Sequence, residues 1–131
     1  KYFNYCLHIE YKDADVLNEL GYLKIQQGRY QDALADLDAA IEYSPEKINT
    51  YLNRGLAKTR LKDYPGAYQD FMKSKKFNGG SPDLPFYLGV YHEQRNEYVE
   101  ALENYNRAKL NGERQGLDYK IADLEGKLKS E

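Results

Sequence analysis

Few residues in this chain could do covalent or metal chemistry, and their spacing works against them. The one thiol is Cys6 and the two histidines are His8 and His92. Cys6 and His8 would make a nucleophile–base pair only if their side chains met, and residues two apart on a helix point to roughly opposite sides. The run His92-Glu93-Gln94-Arg95-Asn96 carries the first half of a zinc-protease motif, but Asn96 stands where the second histidine belongs. Two histidines cannot furnish a His-based metal site of the usual kind. Glu93 and Glu97 are spaced as i, i+4 neighbours on a helix face, a common surface pattern rather than an acid/base pair. Gly79-Gly80 follows no strand, so it punctuates the chain instead of cradling phosphate. A non-catalytic chain with no cofactor and no metal is expected.

The composition narrows the partners. The chain has 131 residues and a net charge of −2, with acids and bases interspersed. That length suffices for one domain with a core. No block of like charge is long enough to serve as a nucleic-acid tail. Lys73, Lys75 and Lys76 are the densest basic stretch, and they suit the negative end of a helix dipole. No apolar run approaches the roughly 20 residues that span a bilayer, and the first residues have no signal-peptide pattern. No nucleic acid and no membrane are therefore expected as partners. A single cysteine allows no internal disulfide and leaves the compartment undetermined.

The elements that hold these residues repeat. Gly21, Gly55 and Gly89 are each 34 residues apart, as are Tyr30, Tyr64 and Tyr98, and Ala33, Ala67 and Ala101. Leu37, Phe71 and Tyr105 keep the spacing with large side chains, and Ala40, Ser74 and Ala108 keep it with small ones. Asp36, Asp70 and Asn104 add a polar column. A fixed period of this length signals a repeat array. Each unit reads as two helices and a tight turn. The first pair spans roughly 14–27 and 30–43, with Gly28-Arg29 as a natural helix stop. Leu17, Leu20, Tyr22 and Ile25 mark the apolar face of the first helix. Ala33, Leu34, Leu37, Ala40 and Ile41 mark that of the second. A glycine inside a helix costs about 1 kcal/mol relative to alanine, so three at one place need a packing reason. Close approach supplies it, with Gly21 expected to face Ala33, Gly55 Ala67 and Gly89 Ala101. Asp13 is placed to open the first helix. Ser44-Pro45-Glu46 opens the third, with serine as cap, and the fifth starts at Asp83, which puts Pro85 in its first turn.

These columns resemble the tetratricopeptide repeat. The frame starts at Ala14, Ile48 and Pro82 and covers Ala14–Gln115. Gly stands at the eighth place, Ala at the twentieth, a large apolar residue at the twenty-fourth and a small one at the twenty-seventh. Gly28-Arg29-Tyr30, Lys62-Asp63-Tyr64 and Asn96-Glu97-Tyr98 occupy the family's turn between helices. The sequence departs from the family at its early tryptophan, here Leu17, Tyr51 and Pro85, and at its late proline, kept only as Pro45. The resemblance implies an all-α fold, an α-solenoid of antiparallel helix hairpins wound as a right-handed superhelix. The expected organisation is a partial preceding repeat at 1–13, repeats at 14–47, 48–81 and 82–115, and a capping helix at 116–131.

The ends follow the same pattern. Lys1–Tyr11 aligns with the second helix of a preceding unit. Phe3 falls in the Leu37 column, Cys6 in the Ala40 column and Leu7 beside Ile41. Cys6 is then a packed, inert thiol. Starting in mid-hairpin is what a piece of a longer array would do. At the other end Leu117, Ile121, Leu124 and Leu128 form one apolar stripe on an otherwise charged helix, the pattern of an end cap.

The resemblance also implies where a partner binds, because first helices line the concave side of such a stack. The lining places hold Asn18 and Tyr22, then Asn49, Leu52, Asn53, Leu56 and Arg60, then Phe86, Tyr87 and Val90. Asp15, Glu19, Ile25, Gln26, Thr59, Asp83, Glu93 and Gln94 complete them. Asparagines can both donate and accept along a peptide backbone, and aromatic and aliphatic side chains supply binding area. Asn53 and Tyr87 are expected to stand exposed there, with Asp36 and Asp70 on the outer face. A C-terminal helix folded back over the groove is the competing arrangement. His92 occupies a column that is usually packed in the family. One subfamily grips acidic chaperone tails with lysines, asparagines and an arginine. The matching places here are Asn18, Tyr22, Asn53, Asp83 and Tyr87, and only Asn53 fits. Acids outnumber Arg60, so an apolar ligand with neutral or basic residues is expected. The function implied is a scaffold that holds a protein or peptide partner. The alternative is a structural spacer or self-association module, a homo-oligomer formed through an open N-terminal edge.

Overall fold

A computed structural model describes residues 13–76, 81–112 and 116–130. The N-terminal segment with Phe3, Cys6 and His8, and the Gly79-Gly80 pair, lie outside the described residues. The chain divides into two compact units, Lys1–Gly79 and Gly80–Glu131. Among the described residues there are seven helices and no strand.

The first unit holds α1 (Ala14–Gln26), α2 (Tyr30–Tyr43), α3 (Ile48–Arg60) and α4 (Tyr64–Lys75). α1 pairs with α2 and α3 with α4 as hairpins, while α3 also packs on α2 and touches α1. Asp13 caps α1, its carboxylate accepting from the Asp15 and Val16 amides at 3.0 and 3.3 Å. That satisfies two of the orphan donors of a helix start. The third helix departs from expectation. It begins at Ile48 with Lys47 as its N-cap, and no side chain caps it. Ser44 instead ends α2, its amide donating to the Ala40 carbonyl at 2.9 Å. Pro45 belongs to the connection, where its carbonyl accepts from the Tyr51 hydroxyl at 2.6 Å.

The second unit holds α5 (Leu84–Gln94), α6 (Tyr98–Asn111) and α7 (Leu117–Lys129). α5 and α6 form a hairpin, and α7 packs on α6. Asp83 is the N-cap of α5 and Pro85 sits in its first turn. There a missing amide proton costs no helical bond. Leu117, Ile121 and Leu124 of α7 are buried and Leu128 is half-buried, so the apolar stripe is the packed side of that helix.

Each hairpin turns in one way. Gly28, Lys62 and Asn96, 34 residues apart, have φ of 81°, 69° and 62°. The Gly28 amide donates to the Ile25 carbonyl at 3.0 Å and the Arg29 amide to Lys24 at 2.8 Å. The same pair of bonds recurs as Lys62 to Thr59 and Asp63 to Lys58, then as Asn96 to Glu93 and Glu97 to His92. This is the Schellman arrangement, which needs one left-handed residue just past the helix end.

The helical glycines are packing residues, and the atoms nearest them belong to a larger side chain than the expected alanine. A Cβ on Gly21 would stand 2.7 Å from Leu37, one on Gly55 2.6 Å from the Phe71 ring, and one on Gly89 2.5 Å from the Tyr105 ring. The close neighbour is thus the large residue of the twenty-fourth place. Leu37, Phe71 and Tyr105 are each fully buried on the second helix of their own hairpin. A first-helix glycine makes the recess that such a side chain fills.

Candidate peptide-binding face

In the first unit α1 and α3 lie side by side. Asn18 and Tyr22 are one turn apart on α1, and Asn49 and Asn53 are one turn apart on α3, so each pair shares a stripe. The Asn53 Nδ2 donates to the Asn18 Oδ1 at 2.8 Å and joins the two stripes. Around this bond Tyr22 and Asn49 are exposed and Asn18 is half-buried. Asp15, Glu19, Gln26 and Arg60 are exposed as well. Asp15 makes an ion pair with Lys47 at 3.1 Å.

Several expected lining residues are instead interior. Asn53 is only 6% exposed, and its amide is engaged by Asn18 rather than presented to solvent. Leu52 and Leu56 are buried, as apolar side chains gain by leaving water. Thr59 is buried too, its hydroxyl donating to the Gly55 carbonyl at 2.8 Å. In the second unit Tyr87 is 7% exposed and Val90 is buried, while Phe86 is half-buried. The Phe86 ring meets Tyr87 edge-on at 6.0 Å between centroids and lies tilted 5.8 Å from Tyr105. The expectation that Asn53 and Tyr87 are freely exposed is therefore corrected.

His92 is half-buried and held to the start of the next helix. Its Nδ1 lies 2.8 Å from Glu97 Oε1, and Arg95 approaches Glu97 Oε2 at 3.5 Å. Glu97 is the N-cap of α6, beyond the left-handed Asn96, so it shares no helix face with Glu93. Glu93 accepts from the buried Tyr105 hydroxyl at 2.7 Å. The two acids thus have separate structural partners. Among the described residues no group of three or more His, Cys, Asp or Glu could hold a metal ion, and no helix is long and apolar enough to cross a membrane.

A polar framework behind the face escaped the sequence reading. Arg54 donates from Nε and Nη2 to the two oxygens of Asp70 at 2.9 and 2.8 Å, and from Nη1 to Asp38 at 2.9 Å. Lys58 reaches Asp70 at 3.2 Å. The Asp70 hydrogen bonds hold the Arg54 guanidinium above its ordinary value. Asp70 is buried, which corrects its placement on an open outer face. One repeat earlier Lys24 meets Asp36 at 2.7 Å, the same pairing 34 residues back. The signal was a Lys24/Lys58 column beside the Asp36/Asp70 column. In the third hairpin these places hold His92 and Asn104, and the pair is gone.

Comparison with known proteins agrees with this architecture. A family model described as "TPR repeat" matches residues 21–62. Protein SGT1 homolog of Bos taurus is 29% identical over 84 residues, 64% of this chain and 25% of its own length. Superkiller complex protein 3 of Mus musculus is 28% identical over 85 residues, 65% of this chain and 5% of its own. Protein O-mannosyl-transferase Tmtc3 of Drosophila melanogaster is 21% identical over 71% of this chain and 10% of its own. The chain thus spans a quarter or less of the length of these curated relatives. A solved tetratricopeptide repeat protein from Parabacteroides merdae superposes with a TM-score of 0.74 at 25% identity, over 93% of this chain and 48% of its own. Repeats of this kind mediate protein–protein interaction and are typically non-catalytic. The recurring glycine recess, the thrice-used Schellman turn and these matches agree on one architecture: the chain is an all-α helical-repeat solenoid whose hairpins are similar to tetratricopeptide repeats.

Proposed function

We propose that this chain is a non-catalytic scaffold that holds an extended peptide or a helix of a partner protein against the first helices of its hairpins. The observation that supports this most is the Asn18–Asn53 hydrogen bond, which sets the α1 and α3 stripes edge to edge with Tyr22 and Asn49 accessible beside it. Asn49 can both donate to and accept from a ligand backbone. Tyr22 offers a ring with a polar rim, the kind of side chain that dominates interface energies. Buried Leu52, Leu56 and Asn53 shape the floor of this face. Phe86, Tyr87 and Val90 would serve a corresponding face in the second unit. Asp15 and Glu19 favour a ligand whose charges are neutral or basic.

The test is a peptide array varied in charge and apolar content, followed by affinity measurement on the best binder. Apolar peptides with basic flanks should be retained over acidic ones. Tyr22→Ala with Asn49→Ala should weaken that binder by roughly 2 kcal/mol or more, about thirtyfold. Tyr68→Ala on α4, where the tyrosine is also exposed, should leave it unchanged. Equal losses from both variants would place recognition elsewhere.

A second reading, self-association through the side of α1, is favoured by the exposure of Val16 and Leu23. The corresponding residues of the second hairpin, Thr50 and Ala57, are buried. Size-exclusion chromatography over a dilution series separates the two readings, because only the second expects a size that rises with concentration.

A further inference from the structure

We infer that the joint between the first hairpin (α1–α2) and the second (α3–α4) is a hinge sensitive to ionic strength, while the hairpins on either side of it resist salt. The inference goes beyond the binding proposal and stands whether or not a peptide occupies the face.

The ion pairs divide by where they lie. Those that tie the two helices of one hairpin together are shielded, whereas Arg29–Asp32, which spans a single turn at the start of α2, is open. Lys24–Asp36 has side chains 26% and 18% exposed, and Arg54–Asp70 has 21% and 4%. Between hairpins they are open. Arg54–Asp38 ends on an aspartate 61% exposed, and Lys47–Asp15 has 43% and 71%. Salt shortens the screening length from about 10 Å at 0.1 M to about 3 Å at 1 M, and it weakens exposed pairs far more than shielded ones.

Besides these pairs the joint holds the Asn18–Asn53 hydrogen bond and the buried side of α3, neither of which salt screens in this way. Thr50, Arg54 and Ala57 form one stripe of α3, and α3 packs on α2. The corresponding residues of the other first helices are Val16, Leu20 and Leu23, then Leu84, Leu88 and Tyr91. Here a threonine, an arginine and an alanine replace large apolar side chains, so less apolar area is available to hold α3 on α2. Arg54 belongs to both neighbours, but unequally. Its two bonds to Asp70 anchor it in the second hairpin, and a single bond to Asp38 reaches the first. When the joint loosens, Arg54 stays with Asp70.

Hydrogen exchange on the intact chain tests this, read by mass spectrometry at about 0.02 M and 1 M NaCl. At high salt the amides of α1 and α2 should exchange about fivefold faster relative to those of α3 and α4, the scale of two exposed ion pairs. An equal response in both hairpins, or none in either, overturns the hinge. A second arm compares Asp15→Asn with Asp38→Asn in one chain. It should show the faster α1–α2 exchange already at low salt and respond little to added salt. A variant that keeps the full salt response overturns the assignment of these two pairs. The wild-type salt series alone decides the matter should that variant fail to fold.

Discussion

Asn53 on α3 donates to Asn18 on α1 across 2.8 Å, so the asparagine best matched to a peptide-gripping residue of the family is already spent on the protein itself. Asn53→Ala would leave the half-buried Asn18 carbonyl without this donor. The expected cost is about 1–3 kcal/mol of stability, read from urea melts. Any loss of partner binding in that variant has to be corrected for this. Asn49→Ala, on an exposed side chain, should cost no more than about 0.5 kcal/mol.

Gly55 and Gly28 should both resist alanine, for different reasons. At Gly55 a methyl would meet the Phe71 ring at 2.6 Å, and overpacking of this kind costs about 1–3 kcal/mol. At Gly28 nothing lies within 4 Å, and φ is +81°. The cost there is backbone strain of about 1–2 kcal/mol. Combining Gly55→Ala with Phe71→Leu should recover part of the loss, whereas Gly28→Ala with the same change should show no recovery. A double-mutant cycle in urea measures the difference.

Lys62→Gly should stabilise the chain by about 0.5–1 kcal/mol, since lysine at φ 69° holds a left-handed turn that glycine adopts at less cost. Asn96→Gly should gain less. Asparagine tolerates that region better, and its side chain accepts from the Tyr98 hydroxyl at 3.0 Å. Thermal melts of the two variants should rank in that order. A destabilised Lys62→Gly would show that the turn is not strained.

Asp70→Ala should be among the most damaging single changes, at about 3–5 kcal/mol. It would strip the counter-charge from the partly buried Arg54 and Lys58. Asp36→Ala breaks a simpler pair with Lys24 and should cost less, about 1 kcal/mol. Urea midpoints of the two variants check the ranking.

The period, the helix pairs and the turn places were written in the sequence. A 34-residue recurrence of glycine, alanine and a large residue is a local pattern, and backbone geometry converts it directly into stacked hairpins. Positions of α1, α2 and the α5 start were legible for the same reason, since caps, proline and apolar spacing act within one turn of the chain. What sequence could not decide is which side chain meets which. The column frame places Asn53 and Tyr87 on the lining face, yet burial depends on what the neighbouring helices bring against them. Asn53 is closed off by an amide 35 residues away. Gly55 lies nearest to the Phe71 ring, a contact that column order alone did not single out. The Ser44 cap failed because α3 starts only at Ile48, with Lys47 at the cap place three residues beyond the serine. Arg54, a polar residue among packing columns, gained its role only when folding brought Asp38 and Asp70 to its two sides. Local spacing determined the architecture. Tertiary packing, which pairs residues far apart in the chain, decided what remains accessible for a partner.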